Sequence, residues 1–227
     1  MLQLRAFKAT NDPESCEKFL QGHGAILTSI GVNKVTSSEA KWMTNPGTYV
    51  LVVEDADTRE IYGGARVDTS YGNTNLPIAD ATGYMDEKIY GYIDNKAELG
   101  TGEICGLWNS RKVAGMGFGS LFLTRAAVAI TSQIQVKSLF ALCAPYTVAT
   151  AESFGYSTIK EVGNEGTFYY PKLDLLATAM LLPDTATLDN ASELEKIRVP
   201  SLREDPGQFF EEELRKKVVP IQYNLEI

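Results

Sequence analysis

The chain has 227 residues, 44% hydrophobic and 22% charged, an ordinary globular balance that can bury a substantial core in one large domain or two small ones. A formal net charge of −8, with Lys and Arg dispersed, argues against nucleic acid and is compatible with a cationic amine as ligand. No run is long enough to span a bilayer and no segment has the order of a secretion signal, so no membrane partner and a cytoplasmic location are expected.

Leu2 to Lys8 reads as a first strand. Asp12-Pro13 then starts a helix, with a capping residue followed by proline in the first turn. His23 lies between Gly22 and Gly24, and this predicts a break before a second apolar helix around Ala25 to Ile30. Thr36-Ser37-Ser38-Glu39 has capping-box spacing and predicts a short helix that ends before Asn45-Pro46-Gly47. Tyr49 to Glu54 is a dense β-branched strand, and Ile61 to Tyr71 reads as its partner. The pair Gly63-Gly64 in that partner predicts a bulge or a close backbone approach. Gly72 to Thr101 reads as loop-rich and partly helical.

From Gly102 the order is strand, glycine loop, helix, strand, short helix and strand pair. Phe118, Leu121, Phe122, Ala126, Ala129 and Ile130 recur at helical spacing, and Ser138 to Ala144 is a continuously apolar strand. Near the C-terminus, Asp205-Pro206 predicts a helix carrying Phe209, Phe210 and Leu214, followed by an added strand from Val218 to Ile227. The three cysteines, Cys16, Cys105 and Cys143, have no metal spacing, and His23 is the only imidazole, so no metal is expected.

The most informative stretch is Ala114-Gly115-Met116-Gly117-Phe118-Gly119-Ser120, between a strand and a helix. Alternating glycines let successive N–H groups converge on one anion, and the helix adds its positive dipole end, so a pyrophosphate is the natural guest. No Gly-Lys-Ser/Thr follows, which excludes a Walker loop, and the dinucleotide spacing fails by one position.

Together, loop and element order resemble the GNAT superfamily of N-acyltransferases, whose acyl-CoA loop reads Arg/Gln-Gly-x-Gly-x-Gly/Ala. The resemblance covers about Leu2 to Pro171. It implies an α/β fold (α+β by some schemes): a mixed, splayed central sheet flanked by helices. Here a domain over residues 1–175 would carry a C-terminal extension, 176–227, packed on it as helix plus strand. That tail reads as a structural cover, a substrate wall or a homodimer element. The resemblance also implies acetyl-CoA or another acyl-CoA as donor and a primary amine of a small molecule or amino acid as acceptor.

Residue roles follow from the same resemblance. Pantetheine would lie in the split beside Leu107, Trp108 and Asn109, and the pyrophosphate on the amides of Gly115, Met116, Gly117, Phe118, Gly119 and Ser120. Ala114 replaces the usual first Arg or Gln, and Arg111 and Lys112 are the nearby cations. Glu103 is the base candidate on the fourth strand. Ala151 occupies the position of the usual tyrosine acid, four residues before Gly155-Tyr156. Tyr146 is the remaining acid candidate, but helical spacing sets it about 140° around from Ala151, which favours protonation of the thiolate by solvent. Two alternatives stay open: a longer-chain enzyme that uses acyl carrier protein (an N-acyl-amino-acid or acyl-homoserine-lactone synthase), and a non-catalytic acyl-CoA-binding module.

Overall fold

A computed structural model of the chain describes residues 1–32, 35, 39–71, 75–113, 120–214 and 217–227. In chain order the elements are β1 (Leu2–Lys8), α1 (Pro13–Ser29), β2 (Thr48–Asp55), β3 (Ile61–Thr69), α2 (Pro77–Thr82), α3 (Lys88–Ala97), β4 (Thr101–Asn109) and α4 (Ser120–Ile130). There follow β5 (Ser138–Cys143), α5 (Pro145–Ser153), β6 (Ser157–Thr158), β7 (Thr167–Tyr169), β8 (Leu176–Leu182), α6 (Glu193–Glu204), β9 (Phe209–Leu214) and β10 (Lys217–Asn224). The strands form one mixed sheet in the order β6-β8-β5-β4-β3-β2-β1-β10-β9, with β7 also on β8.

Alternation along the strands divides the core into two layers. Leu51 and Val53 of β2, Ala65 and Val67 of β3, and Leu139 and Ala141 of β5 face α4 in one large cluster. Val50 and Val52 face the other way and pack with Phe19 of α1, while Phe140 meets Ile78 and Ile89 of α2 and α3. Full burial of a side chain such as Phe122 or Phe140 contributes about 1.5–3 kcal/mol, so helices on both faces are needed to hold the sheet.

Helix α1 is not broken at His23. Asp12 caps it by accepting the Ser15 N–H at 3.0 Å, and it runs through Gly22-His23-Gly24 to Ser29. The Trp108 ring lies so close over Gly22 that any Cβ there would overlap it. The glycine therefore allows a close approach rather than a turn. At Gly64 a Cβ would stand 2.6 Å from the Phe19 ring and 2.7 Å from the Leu51 carbonyl oxygen, the close approach expected from the glycine pair. The capping residues 36–38 lie outside the described residues, and Ala40–Thr44 forms a 3-10 turn.

The tail departs from expectation. Phe209–Leu214 is not a helix but strand β9, joined antiparallel to β10, which adds parallel to β1. The helix lies earlier, at α6, and packs on α4. Alternation decides for the strand: Glu212 turns inward to the buried Arg125 while Glu211 and Glu213 stay exposed. Residues after 175 also contribute β8, which pairs with β5 inside the sheet. No described helix is long and apolar enough to cross a membrane.

Candidate active site

Strands β4 and β5 run parallel only from Thr101–Ile104 against Ser138–Ala141. Beyond that β4 continues to Asn109 along β3, while β5 ends at Cys143 and turns into α5. The divergence begins at a bulge: Arg66 pairs with Cys105 and Gly64 with Trp108, so Gly106 and Leu107 oppose the single residue Ala65. Gly106 has φ +59°, a left-handed conformation that side chains disfavour. A cavity of about 600 Å³ fills the opening, lined by Glu103 to Leu107 on one side and Ala141 to Thr147 on the other. Helix α1 contributes His23 and Leu27, α4 contributes Ser120 and Thr124, and Tyr156 reaches it from beyond α5.

Glu103 is 2% exposed and lines this cavity. Its Oε2 accepts the Ile78 backbone N–H at 2.6 Å. Burial pushes the carboxyl well above the usual carboxylate range; the Ile78 hydrogen bond and Arg66 oppose the rise, and Asp68 adds to it. Behind it, Arg66 Nη2 donates to Asp68 Oδ2 at 2.9 Å and to Cys105 Sγ at 3.3 Å, and Thr48 Oγ1 donates to Asp68 Oδ1 at 2.8 Å.

Burial raises all three thiols, Cys16 to about 12, Cys143 to about 11 and Cys105 well above its ordinary value. Each is therefore a protonated thiol near neutral pH and a poor nucleophile.

His23 was not expected here. It is 4% exposed, and its Nδ1 has no hydrogen-bond partner among the described residues. Burial, with Arg66 nearby, lowers its pKa to about 4, so the imidazole is neutral. A helical stripe of Cys16, Phe19, His23, Leu27 and Ile30 was present in the sequence and, read through the glycines, would have found it. Tyr156, named in the sequence only as half of the Gly155-Tyr156 pair, is likewise 4% exposed, and its hydroxyl has no partner among the described residues.

The other expected residues divide. Leu107 and Ser120 line the cavity. Trp108 and Asn109 pair with Gly64 and Gly63 on the β3 side, and the Trp108 ring packs edge-on against Phe19, with centroids 5.9 Å apart, so it belongs to the core beneath α1. Arg111 and Lys112 are exposed in a 3-10 turn, with Lys112 ion-paired to Glu60. Tyr146 stands at the cavity's edge and is 84% exposed. Ala114, Gly115, Met116, Gly117, Phe118 and Gly119 lie outside the described residues.

Solved structures share this arrangement of strands and helices. FeeM, an N-acyl amino acid synthase from uncultured soil microbes, aligns with a TM-score of 0.62 at 13% identity over 86% of this chain and 97% of its own. An acyl-CoA N-acyltransferase from Pseudomonas aeruginosa aligns with a TM-score of 0.54 at 11% identity, over 80% of this chain and 99% of its own. This is the GNAT fold. A CoA-dependent acyl-homoserine lactone synthase, BjaI, has the same GNAT architecture, with a TM-score of 0.55 at 13% identity over 88% of this chain and 90% of its own. No family model and no curated protein matches the sequence.

Proposed function

We propose that this protein transfers an acyl group from acyl-CoA to a primary amine of a small molecule or amino acid by direct attack. The observation that carries the reading is the opening between β4 and β5 over a cavity into which Glu103, a carboxyl of raised proton affinity, is built. An acceptor ammonium must lose a proton before it can attack, and a carboxylate whose pKa is raised toward that of the amine is the better base for taking it. Leu107, beside the bulge, would contact pantetheine, and the amides from Gly115 to Ser120 would hold the pyrophosphate, with most of the affinity there coming from backbone donors. Arg111 would add positive charge from the neighbouring turn.

The cavity wall favours a second reading on the same chemistry, a donor chain longer than acetyl. Leu27, Ile30, Val32, Leu142, Leu175 and Leu176 line it, giving an apolar chain more to bury against than a two-carbon group needs. FeeM, an N-acyl amino acid synthase, supports an amino acid as acceptor.

Thermal unfolding with free CoA, acetyl-CoA and longer acyl-CoAs tests the reading. A donor at about a hundred times its dissociation constant adds about 2.7 kcal/mol, and the cavity wall predicts larger shifts for longer chains at equal concentration. Thiol release on addition of an amino acid should follow. A protein that no CoA species stabilises is not an acyl-CoA-dependent transferase.

A further inference from the structure

Glu103 does not stand alone in the sheet. In the antiparallel register of β3 and β4 it lies directly across from Asp68, and Arg66 lies directly across from Cys105. Directly paired residues point to the same face, and positions two apart on a strand share it, so the four side chains form one buried group. Arg66 is therefore the diagonal neighbour of Glu103, about 7–8 Å away by sheet geometry and within reach of so long a side chain. Further titratable groups interact with Glu103 from neighbouring elements: Asp80 of α2, Cys143 of β5 and Tyr156 beyond α5. Across from Glu103 on β5 stands Phe140, which offers no charge.

One guanidinium between two buried carboxyls can go to either, and the hydrogen bonds show which has it. Arg66 Nη2 donates to Asp68 Oδ2 at 2.9 Å. The Cys105 thiol closes a triangle, accepting from the same nitrogen and donating to the same oxygen at 3.3 Å each. Thr48, across from Asp68 on β2, donates to its other oxygen at 2.8 Å. Asp68 thus collects three donors, while Glu103 accepts the Ile78 N–H at 2.6 Å and lines the cavity. The difference matters for proton transfer. A carboxylate paired with a buried guanidinium is a weaker base, because the cation stabilises its charged form.

We propose that Asp68 is a positioning residue for acyl transfer: it holds the Arg66 guanidinium and keeps that cation off Glu103, so that Glu103 remains the base that takes the acceptor's proton. This assignment rests on the acyltransferase reading and extends it. The ammonium gives its proton to Glu103, the freed nitrogen pair forms the bond to the carbonyl carbon, and the carbon–sulfur bond breaks with its electron pair on sulfur. Asp68 is not among the described residues that line the cavity, and it acts only through where the cation goes. Burial, with Asp68 adding to it, holds the Glu103 carboxyl above the usual carboxylate range against the Ile78 hydrogen bond and Arg66.

The test is Asp68→Asn. With that charge gone, Arg66 should turn to Glu103. The acidic limb of the single-turnover rate should then move down by about one pH unit or more, and the plateau should fall about tenfold, because a base held by a cation is weaker. Adding Arg66→Met to Asp68→Asn removes the cation as well and should return the limb toward the parent's. Urea unfolding at neutral pH reads the same exchange without catalysis. Glu103→Gln should cost little stability or raise it in the parent, whereas in the Asp68→Asn background it should lower the urea midpoint, since it then removes the counter-charge of Arg66. A limb that Asp68→Asn leaves in place, a limb that stays low in the double variant, or a Glu103→Gln effect of the same sign in both backgrounds overturns the assignment. So does an Asp68→Asn variant that does not fold, which would show that Glu103 cannot take the guanidinium over. In a parent that no CoA species stabilises, the acyltransferase reading fails and the base role with it, while a sign reversal in the urea cycle still places the guanidinium under the control of Asp68.

Discussion

The buried polar groups around Arg125 and those around Glu103 make opposite use of similar burial. Arg125, 1% exposed, uses all three nitrogens of its guanidinium: Nε and Nη2 donate to the two oxygens of Glu195 at 2.7 Å each, and Nη1 donates to Glu212 Oε1 at 2.8 Å. Tyr223 Oη adds a fourth hydrogen bond to Glu212 at 3.1 Å. That network ties α6 and β9 of the tail to α4. At the cavity, by contrast, among the described residues Glu103 has a single backbone donor at one oxygen, while His23 Nδ1 and Tyr156 Oη have no partner. A satisfied buried network holds structure together; an incomplete one beside a cavity costs stability and is available to a ligand.

The strongest challenge to the comparison is Arg125→Met. Two buried carboxylates would be left without their cation, and stability should fall by about 3–5 kcal/mol in urea unfolding. Replacing all three charged residues together (Arg125→Met, Glu195→Leu, Glu212→Leu) should recover most of that loss. A small loss in the single variant would mean that the network does not hold the tail.

Glu103→Gln should behave in the opposite sense. Acyl transfer should fall by about a hundredfold, about 2.7 kcal/mol of barrier, with the deficit narrowing as pH approaches the amine's own pKa and the amine no longer needs a base. Stability should respond to pH in a fixed direction. The native state keeps the Glu103 proton to higher pH than the unfolded chain does, so this group's contribution falls as pH rises from the ordinary carboxylate range through the raised native value. The Gln variant should lose that part of the slope and be the more stable protein above it. Parallel pH–stability curves would show that the fold does not raise the proton affinity of Glu103.

Gly106→Ala separates backbone geometry from side-chain pairing at the same site. The nearest atom to an added Cβ is the Phe19 ring at 3.6 Å, an ordinary contact, so the cost is that of φ +59°, about 1–2 kcal/mol of stability. Calorimetric unfolding measures it, and no loss would mean that the bulge relaxes. The smallest effect is expected for Tyr146→Phe. This exposed hydroxyl should matter by less than threefold in rate, about 0.7 kcal/mol of barrier, and a large loss with donor binding intact would make Tyr146 the acid for the leaving group.

Much of the architecture was legible because local patterning carries it. The β-branched run at Tyr49 to Glu54, the helical spacing after Ser120 and the apolar strand from Ser138 each have one dominant way to bury their faces. Glu103 was legible as a base candidate from its place on the fourth strand in the family resembled. His23 was misplaced because glycines on both sides read as a helix break, whereas Gly22 is small to make room for Trp108, a residue far along the chain. Phe209–Leu214 was misread because its acidic residues suit a helix start, and only the distant Arg125 shows that Glu212 must point inward.

The sequence by itself therefore determined the fold class and most of the order of strands and helices ahead of the tail, and it offered the glycine loop as a candidate phosphate site, since these readings depend on periodicity and on residues close together in the chain. Tertiary structure decided which polar groups are completed and which are left open. That distinction depends on partners tens of residues away: 70 and 87 positions for Arg125, 25 for the Ile78 donor to Glu103. A hydrogen bond forms only when two such groups are brought to contact distance and cut off from water, and a side chain's identity does not encode whether that will happen.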